Sequence, residues 1–244
     1  MPGGGYSWLV SVLPHEGGPF PVLYRTFGVP LGSGYRQGFI SRPDKIGRFP
    51  AVVAVSPSAG IASYVKGVSW QLARKGFAVT AVNPVSRAGG SPGREALAAV
   101  GDAIDFVLSE ETTSQGRIGL WGFEEGGRYA AAATFKRMEV GAVVVSETPL
   151  SGDDDPDFRL LDWAARVTVP LLGLYGREDD RIPTELVDEA QAASPNGQWI
   201  VYEGVGHGFL DEDGDGYHRG AAHDAVARAA QLFAAALPQA QLAA

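Results

Sequence analysis

Three short stretches of this 244-residue chain gather the side chains that acid–base or nucleophilic chemistry requires. Gly122-Phe123-Glu124-Glu125-Gly126-Gly127 has the pattern of a strand-to-helix elbow, in which flanking glycines clear space around one strained central residue. The register selects Glu124 rather than Glu125 as that residue. Gly176-Arg177-Glu178-Asp179-Asp180-Arg181-Ile182-Pro183 concentrates three carboxylates, and Gly204-Val205-Gly206-His207-Gly208-Phe209 sets an imidazole among glycines. Along the chain the order is elbow, acid, histidine, the three parts that an activated centre of this kind requires. A carboxylate at the elbow could attack a saturated carbon, or it could serve as a general base beside a polarised carbonyl. It is a poor attacker of esters, because the anhydride formed reverts more readily than it proceeds.

These stretches matter only if the fold brings them together, and the apolar pattern says how it does so. Ala51–Val55, Phe77–Val82, Ile118–Trp121, Val140–Val145, Pro170–Tyr175 and Trp199–Tyr202 are short apolar runs of the kind buried on both faces of a sheet. Between them Val65, Val68 and Leu72 share a helical face, as do Leu97, Val100, Ile104, Val107 and Leu108. Ala222, Val226, Ala229, Ala230 and Phe233 repeat the spacing, and Arg128–Arg137 reads as the helix that follows the elbow. Alternating strand and helix predicts a mainly parallel sheet with helices on both faces. Val22–Phe27 and Tyr35–Ile40, separated by the turn-rich Gly28–Gly34, predict an antiparallel start. Each chemical stretch then falls at the carboxyl end of a strand, where ligands gather in such sheets. Ser151–Asp157 is expected to rim the same cleft.

Composition narrows the classes of function. The net charge of -8, with the 20 Lys and Arg residues scattered, disfavours a nucleic-acid partner. The absence of cysteine excludes disulfides, thiolate catalysis and Cys-ligated zinc. The Trp8–Leu13 segment has no basic region before it, and no apolar run is long enough to span a bilayer, so a cytoplasmic location and no membrane partner are expected. Asp211-Glu212-Asp213-Gly214-Asp215-Gly216 echoes a calcium loop but has Ala222 where the twelfth-position glutamate belongs. No nucleotide fingerprint or metal cluster is found, hence no cofactor is implied. One α/β domain over residues 1–244, with no large cap and acting as a monomer or homodimer, is the expected organisation.

The run from Gly38-Phe39-Ile40 through Phe49-Pro50-Ala51-Val52-Val53, the elbow, the acid turn and Tyr202-Glu203-Gly204-Val205-Gly206-His207-Gly208-Phe209 together resemble the dienelactone hydrolase family. The resemblance runs from about Tyr35 to Phe233. It implies Asp179 as the acid and His207 as the base that it orients, the carboxylate fixing the imidazole tautomer and stabilising its protonated form. It implies an oxyanion hole from the N–H groups of Ser58 and Glu125. It also places Arg87 where the family grips a substrate carboxylate. Glu147, just after the strand Val140–Val145, is expected to point into the cleft or line its rim, and Phe123 and Phe209, beside the elbow residue and the histidine, are further candidate substrate contacts. Two departures stand out. Glu124 occupies the position of the family's nucleophilic cysteine, and Pro57 replaces the glutamate that partners it. A second arginine expected after the histidine is also missing, the segment reading Leu210-Asp211-Glu212-Asp213. Hydrolysis of a small lactone or other carbonyl substrate is the leading expectation. Isomerisation, elimination or cyclisation through proton abstraction by Glu124, epoxide- or halide-type chemistry through a Glu124 ester, and a pocket that binds without reacting stand beside it.

Overall fold

The computed structural model describes residues 9–11, 20–31, 34–57, 60–84, 92–152 and 156–242. Its sheet has nine strands in the order β1 (Leu9–Ser11), β2 (Val22–Leu31), β3 (Gly34–Pro43), β6 (Ala78–Val82), β5 (Ala51–Val55), β7 (Ile118–Phe123), β8 (Val140–Ser146), β9 (Leu171–Gly176) and β10 (Gly197–Tyr202). The pairs β1–β2, β2–β3 and β3–β6 are antiparallel, and every pair from β6 to β10 is parallel. This is the α/β-hydrolase architecture.

Side-chain alternation explains the layers. Val53, Val55, Leu120, Val143 and Val145 face one way and pack against α2 (Pro92–Ser109), α3 (Glu125–Ala133), α4 (Leu160–Ala164) and α5 (Thr184–Ala193). Val52, Ala54, Val79, Trp121, Phe123 and Val144 face the other way, against α1 (Ser63–Arg74) and α6 (Arg219–Ala236). Strands β5, β6, β7, β8 and β9 are buried at every position, so their apolar runs lack the two-residue polar alternation of a solvated sheet. A two-stranded antiparallel pair joins β4 (Gly47–Arg48) to β11 (Gln241–Leu242).

The structure redraws some sequence boundaries. The ladder of β2 and β3 continues through Pro30↔Tyr35 to Leu31↔Gly34, so Gly28–Gly34 is mostly strand, and only residues 32 and 33, outside the described set, separate the two. Pro30 is tolerated because β1 covers only Val22–Tyr24; beyond them β2 has no partner on its other side among the described residues, so the missing N–H breaks no bond there. The helix after the elbow begins at Glu125, three residues before Arg128, and ends at Ala133. His218 caps α6, its side chain accepting from the Ala221 N–H.

Candidate active site

Four adjacent strands, β7 to β10, each deliver one titratable side chain to the carboxyl edge of the sheet. Glu124 follows β7 directly with φ 47° and ψ −127°, a conformation strained for any residue with a Cβ. The turn is tight enough that a Cβ on Gly122 would lie 2.3 Å from the Gly127 Cα, and one on Gly127 would lie 1.9 Å from the Thr148 Oγ1. Strand β7 can therefore meet α3 this closely only because Gly122 has no Cβ, and Thr148 fills the space beside Gly127. Glu125 is the first residue of α3, so its N–H belongs to the group without an intrahelical acceptor, and the helix N-terminus favours negative charge in front of it.

The Glu124 carboxylate is held by Tyr64 of α1, whose hydroxyl donates to Oε1 at 2.7 Å. Burial and then the negative Glu124 push the Tyr64 hydroxyl far above its ordinary pKa, so it stays protonated and donating. Beneath it Phe123 stacks on Trp121 with ring centroids 5.1 Å apart and meets Tyr64 edge-on at 5.8 Å.

Asp179 and His207 meet across the ends of β9 and β10, Asp179 Oδ2 lying 2.8 Å from His207 Nδ1. The other carboxylate oxygen accepts the N–H groups of Arg181 at 2.8 Å and Ile182 at 3.2 Å. Burial disfavours its charge, but the His207 hydrogen bond and those N–H donors outweigh burial and hold Asp179 below the usual range. Its neighbours Glu178 and Asp180 point into solvent. The bond from Asp179 raises the imidazole, with burial opposing and Glu147 assisting.

Glu147 follows β8 as Glu124 follows β7, with φ 51°. It is 4% exposed, its Oε1 lying 3.9 Å from His207 Nδ1 and accepting the N–H groups of Gly208 and, at 3.3 Å, Phe209. Burial pushes its carboxyl up to about 7, against the favourable field of His207 and the two N–H donors.

Several expected positions differ. Phe123 and Phe209 do not line the cleft: they are 1% and 0% exposed, because alternation along β7 turns Phe123 with Trp121 toward the α1 and α6 layer, while Phe209 packs on Tyr202. Glu147 lies beneath the rim, against the histidine loop. Ser58 and Arg87 fall outside the described residues. Glu124 makes no hydrogen bond or ion pair with His207 among the described residues; its partner is Tyr64, which the sequence reading had not singled out. The available signal was position, a tyrosine in the first turn of the helix that follows β5. A cleft of about 70 Å³ runs between Ser63, Tyr64, Gly67 and Gln71 of α1 and Leu210 and Asp211 after the histidine. A larger one, about 470 Å³, is lined by Arg42, Lys45, Arg48 and Glu111 and holds none of these groups.

A nucleophile-type elbow before a helix, followed in chain order by an acid and a histidine that are hydrogen-bonded to each other, defines an α/β-hydrolase. The dienelactone hydrolase family model matches residues 87–237, and the chain belongs to that family of hydrolases. Among its relatives, a Bradyrhizobium protein assigned as a 2-oxo-3-(5-oxofuran-2-ylidene)propanoate lactonase is 28% identical over 212 residues, covering 78% of this chain and 85% of its own. One from Escherichia coli, strain K12, assigned as a carboxymethylenebutenolidase, is 28% identical over 210 residues, covering 77% of each chain. The crystal structure of a Klebsiella pneumoniae protein assigned as a dienelactone hydrolase superposes with a TM-score of 0.79 at 21% identity, over 87% of this chain and 98% of its own, a likeness of fold. No helix among the described residues is long and apolar enough to cross a membrane.

Proposed function

We propose that the protein hydrolyses small lactones of the furanone or butenolide kind, with Glu124 as general base toward water. The carrying observation is that the elbow residue is a carboxylate, fixed by the Tyr64 hydroxyl at 2.7 Å, while the Asp179–His207 pair stands as a separate unit. Glu124 takes a proton from water as the hydroxide oxygen bonds to the lactone carbonyl carbon. The resulting oxyanion is received by N–H groups at the start of α3, led by Glu125, with Ser58 as the second donor. Collapse breaks the ring C–O bond, and the imidazolium of His207, kept charged by Asp179, donates its Nε2 proton to the leaving oxygen. Glu124 then returns its proton to solvent or to His207, so charge and protons balance over the cycle. The names borne by the relatives suggest the substrate class, and Arg87 is the candidate group for a substrate carboxylate.

The test is ring opening of unsaturated furanones and simple butenolides followed by absorbance, wild type against Glu124→Gln, with intact mass recorded after each incubation. Gln keeps the shape and can still accept from Tyr64 but removes the basic oxygen. Turnover should fall by roughly 10²–10⁴-fold, the usual weight of general-base catalysis, with thermal stability unchanged. Full activity in that variant would refute a catalytic Glu124. A stable adduct on Glu124 would replace base by nucleophile.

A further inference from the structure

Three carboxylates stand at the carboxyl edge of the sheet, and the mechanism above employs two. The third, Glu147, is confined as Asp179 is: strained at φ 51°, 4% exposed, and extended past the end of β9 to the loop after β10. The segment that carries it is pinned on both sides. The Glu147 N–H donates to the Leu174 carbonyl at 3.0 Å, and the Thr148 carbonyl accepts the Tyr175 hydroxyl at 3.1 Å. Its Oε1 receives two consecutive N–H groups of the histidine loop and stands 3.9 Å from Nδ1, the nitrogen that Asp179 also engages. Two N–H donors would be satisfied by any neutral acceptor. A carboxylate there adds a second negative charge beside the one imidazole in the site.

We propose that Glu147 is a positioning residue, a second acid of the site whose buried carboxylate anchors the histidine loop and shares with Asp179 the positive charge that His207 carries during ring opening. This rests on the reading of His207 as the proton donor, but the consequence concerns the imidazole itself. With Asp179 in line and Glu147 to one side, the ring has a neighbouring carboxylate even when one of the two is neutral. Burial raises the Glu147 carboxyl to about 7, the two carboxylates raise His207, and with Oε1 3.9 Å from Nδ1 each group's titration depends on the charge of the other rather than proceeding in an independent step. The other groups acting on the pair are Asp179 and Arg181 after β9, the protonated Tyr175 of β9 and the protonated Tyr64 of α1.

The test is an NMR titration of His207 in the intact protein, labelled at histidine and assigned with His207→Gln, for wild type, Glu147→Gln and Glu147→Ala. In Glu147→Gln an acceptor for Gly208 and Phe209 persists while the charge is lost, so the His207 midpoint should move to lower pH with the two amides still protected from exchange. An unmoved midpoint overturns the charge-sharing role. In Glu147→Ala the amides of Gly208 and Phe209 should exchange faster, and unaltered protection overturns the anchoring role. If neither variant folds, the wild-type curve decides: His207 should follow two inflections, one from its own proton and one from the nearby carboxyl, and a single inflection refutes the coupling. Absence of lactone turnover by wild type would count against the proposed function alone, because the titration reads the imidazole whether or not the enzyme acts on the substrates offered.

Discussion

Replacing Asp179 by Asn changes one atom, and the structure says how that change spreads. Oδ1 is fixed as acceptor of the Arg181 and Ile182 N–H groups, so the new amide nitrogen must take the place of Oδ2, 2.8 Å from His207 Nδ1. An N–H aimed at Nδ1 forces that nitrogen to accept, which removes the proton there and disfavours imidazolium. At 2.8 Å and an effective dielectric of about 20, the lost charge–charge attraction is about 6 kcal/mol. His207 is 15% exposed at its side chain, so water recovers part of it, and Glu147 remains nearby. A net loss of about 3–4 kcal/mol in stabilisation of the imidazolium is reasonable, which lowers kcat/KM roughly 10²–10³-fold. His207 is raised in the wild type, so the protonated donor is lost as pH climbs through its folded pKa; without Asp179 that basic limb moves to lower pH. The assay is the pH dependence of kcat/KM on a turned-over lactone for Asp179→Asn and, as control, Asp180→Asn, whose side chain lies in solvent. Equal losses in the two variants, or an unmoved basic limb in Asp179→Asn, would refute the assignment of the acid.

Tyr64→Phe removes the hydrogen bond that the described residues give the Glu124 carboxylate, a charge-assisted bond of about 1.5–3 kcal/mol, and should lower kcat about tenfold or more with little change in fold, read by steady-state kinetics beside a melting curve. Gly127→Ala places a methyl 1.9 Å from Thr148 Oγ1 and 2.8 Å from its Cβ, so the elbow must open; a loss of about 2 kcal/mol or more in urea unfolding is expected, and a neutral result would mean that Thr148 can turn away freely. Glu147 has a folded pKa raised to about 7 from an ordinary 4.5, so the native state binds its proton more tightly and stability falls as pH rises between those values, by roughly 3 kcal/mol. Glu147→Gln should therefore flatten the decline of unfolding free energy from pH 5 to pH 8, which chemical denaturation at several pH values measures directly.

The sheet was legible because its central strands are continuous apolar runs and its helices carry clean three- and four-residue spacing, as in Val65, Val68 and Leu72. Boundaries were less so. Pro30 and Gly28 look like turn residues, and only the open outer edge of β2 makes them acceptable in a strand. At the site, the elbow glycines announced Glu124 because the close approach of strand and helix leaves no room for a Cβ, a constraint that residue type alone records. Tyr64 and Glu147 could not be read in the same way. Their roles come from contacts with partners 60 and 61 positions away, Glu124 and Gly208, which no local pattern encodes. Phe123, next to Glu124 in sequence, is the last residue of β7 and is enclosed by Trp121 and Tyr64, contacts that sequence adjacency does not record.

The succession of Glu124, Glu147, Asp179 and His207 along neighbouring strands has a consequence for redesign. Strands in a sheet stand about 4.8 Å apart, so the backbone ladder acts as a ruler that sets the spacing of the four strand ends from which these groups project. The exposed stretch after the histidine loop, residues 211–215, can be exchanged to reshape the approach to the cleft while the strand ends stay where they are, provided the Gly208 and Phe209 amides keep their acceptor. Specificity and chemistry are thus separable parts of this chain, one written in its connections and the other in the order of its strands.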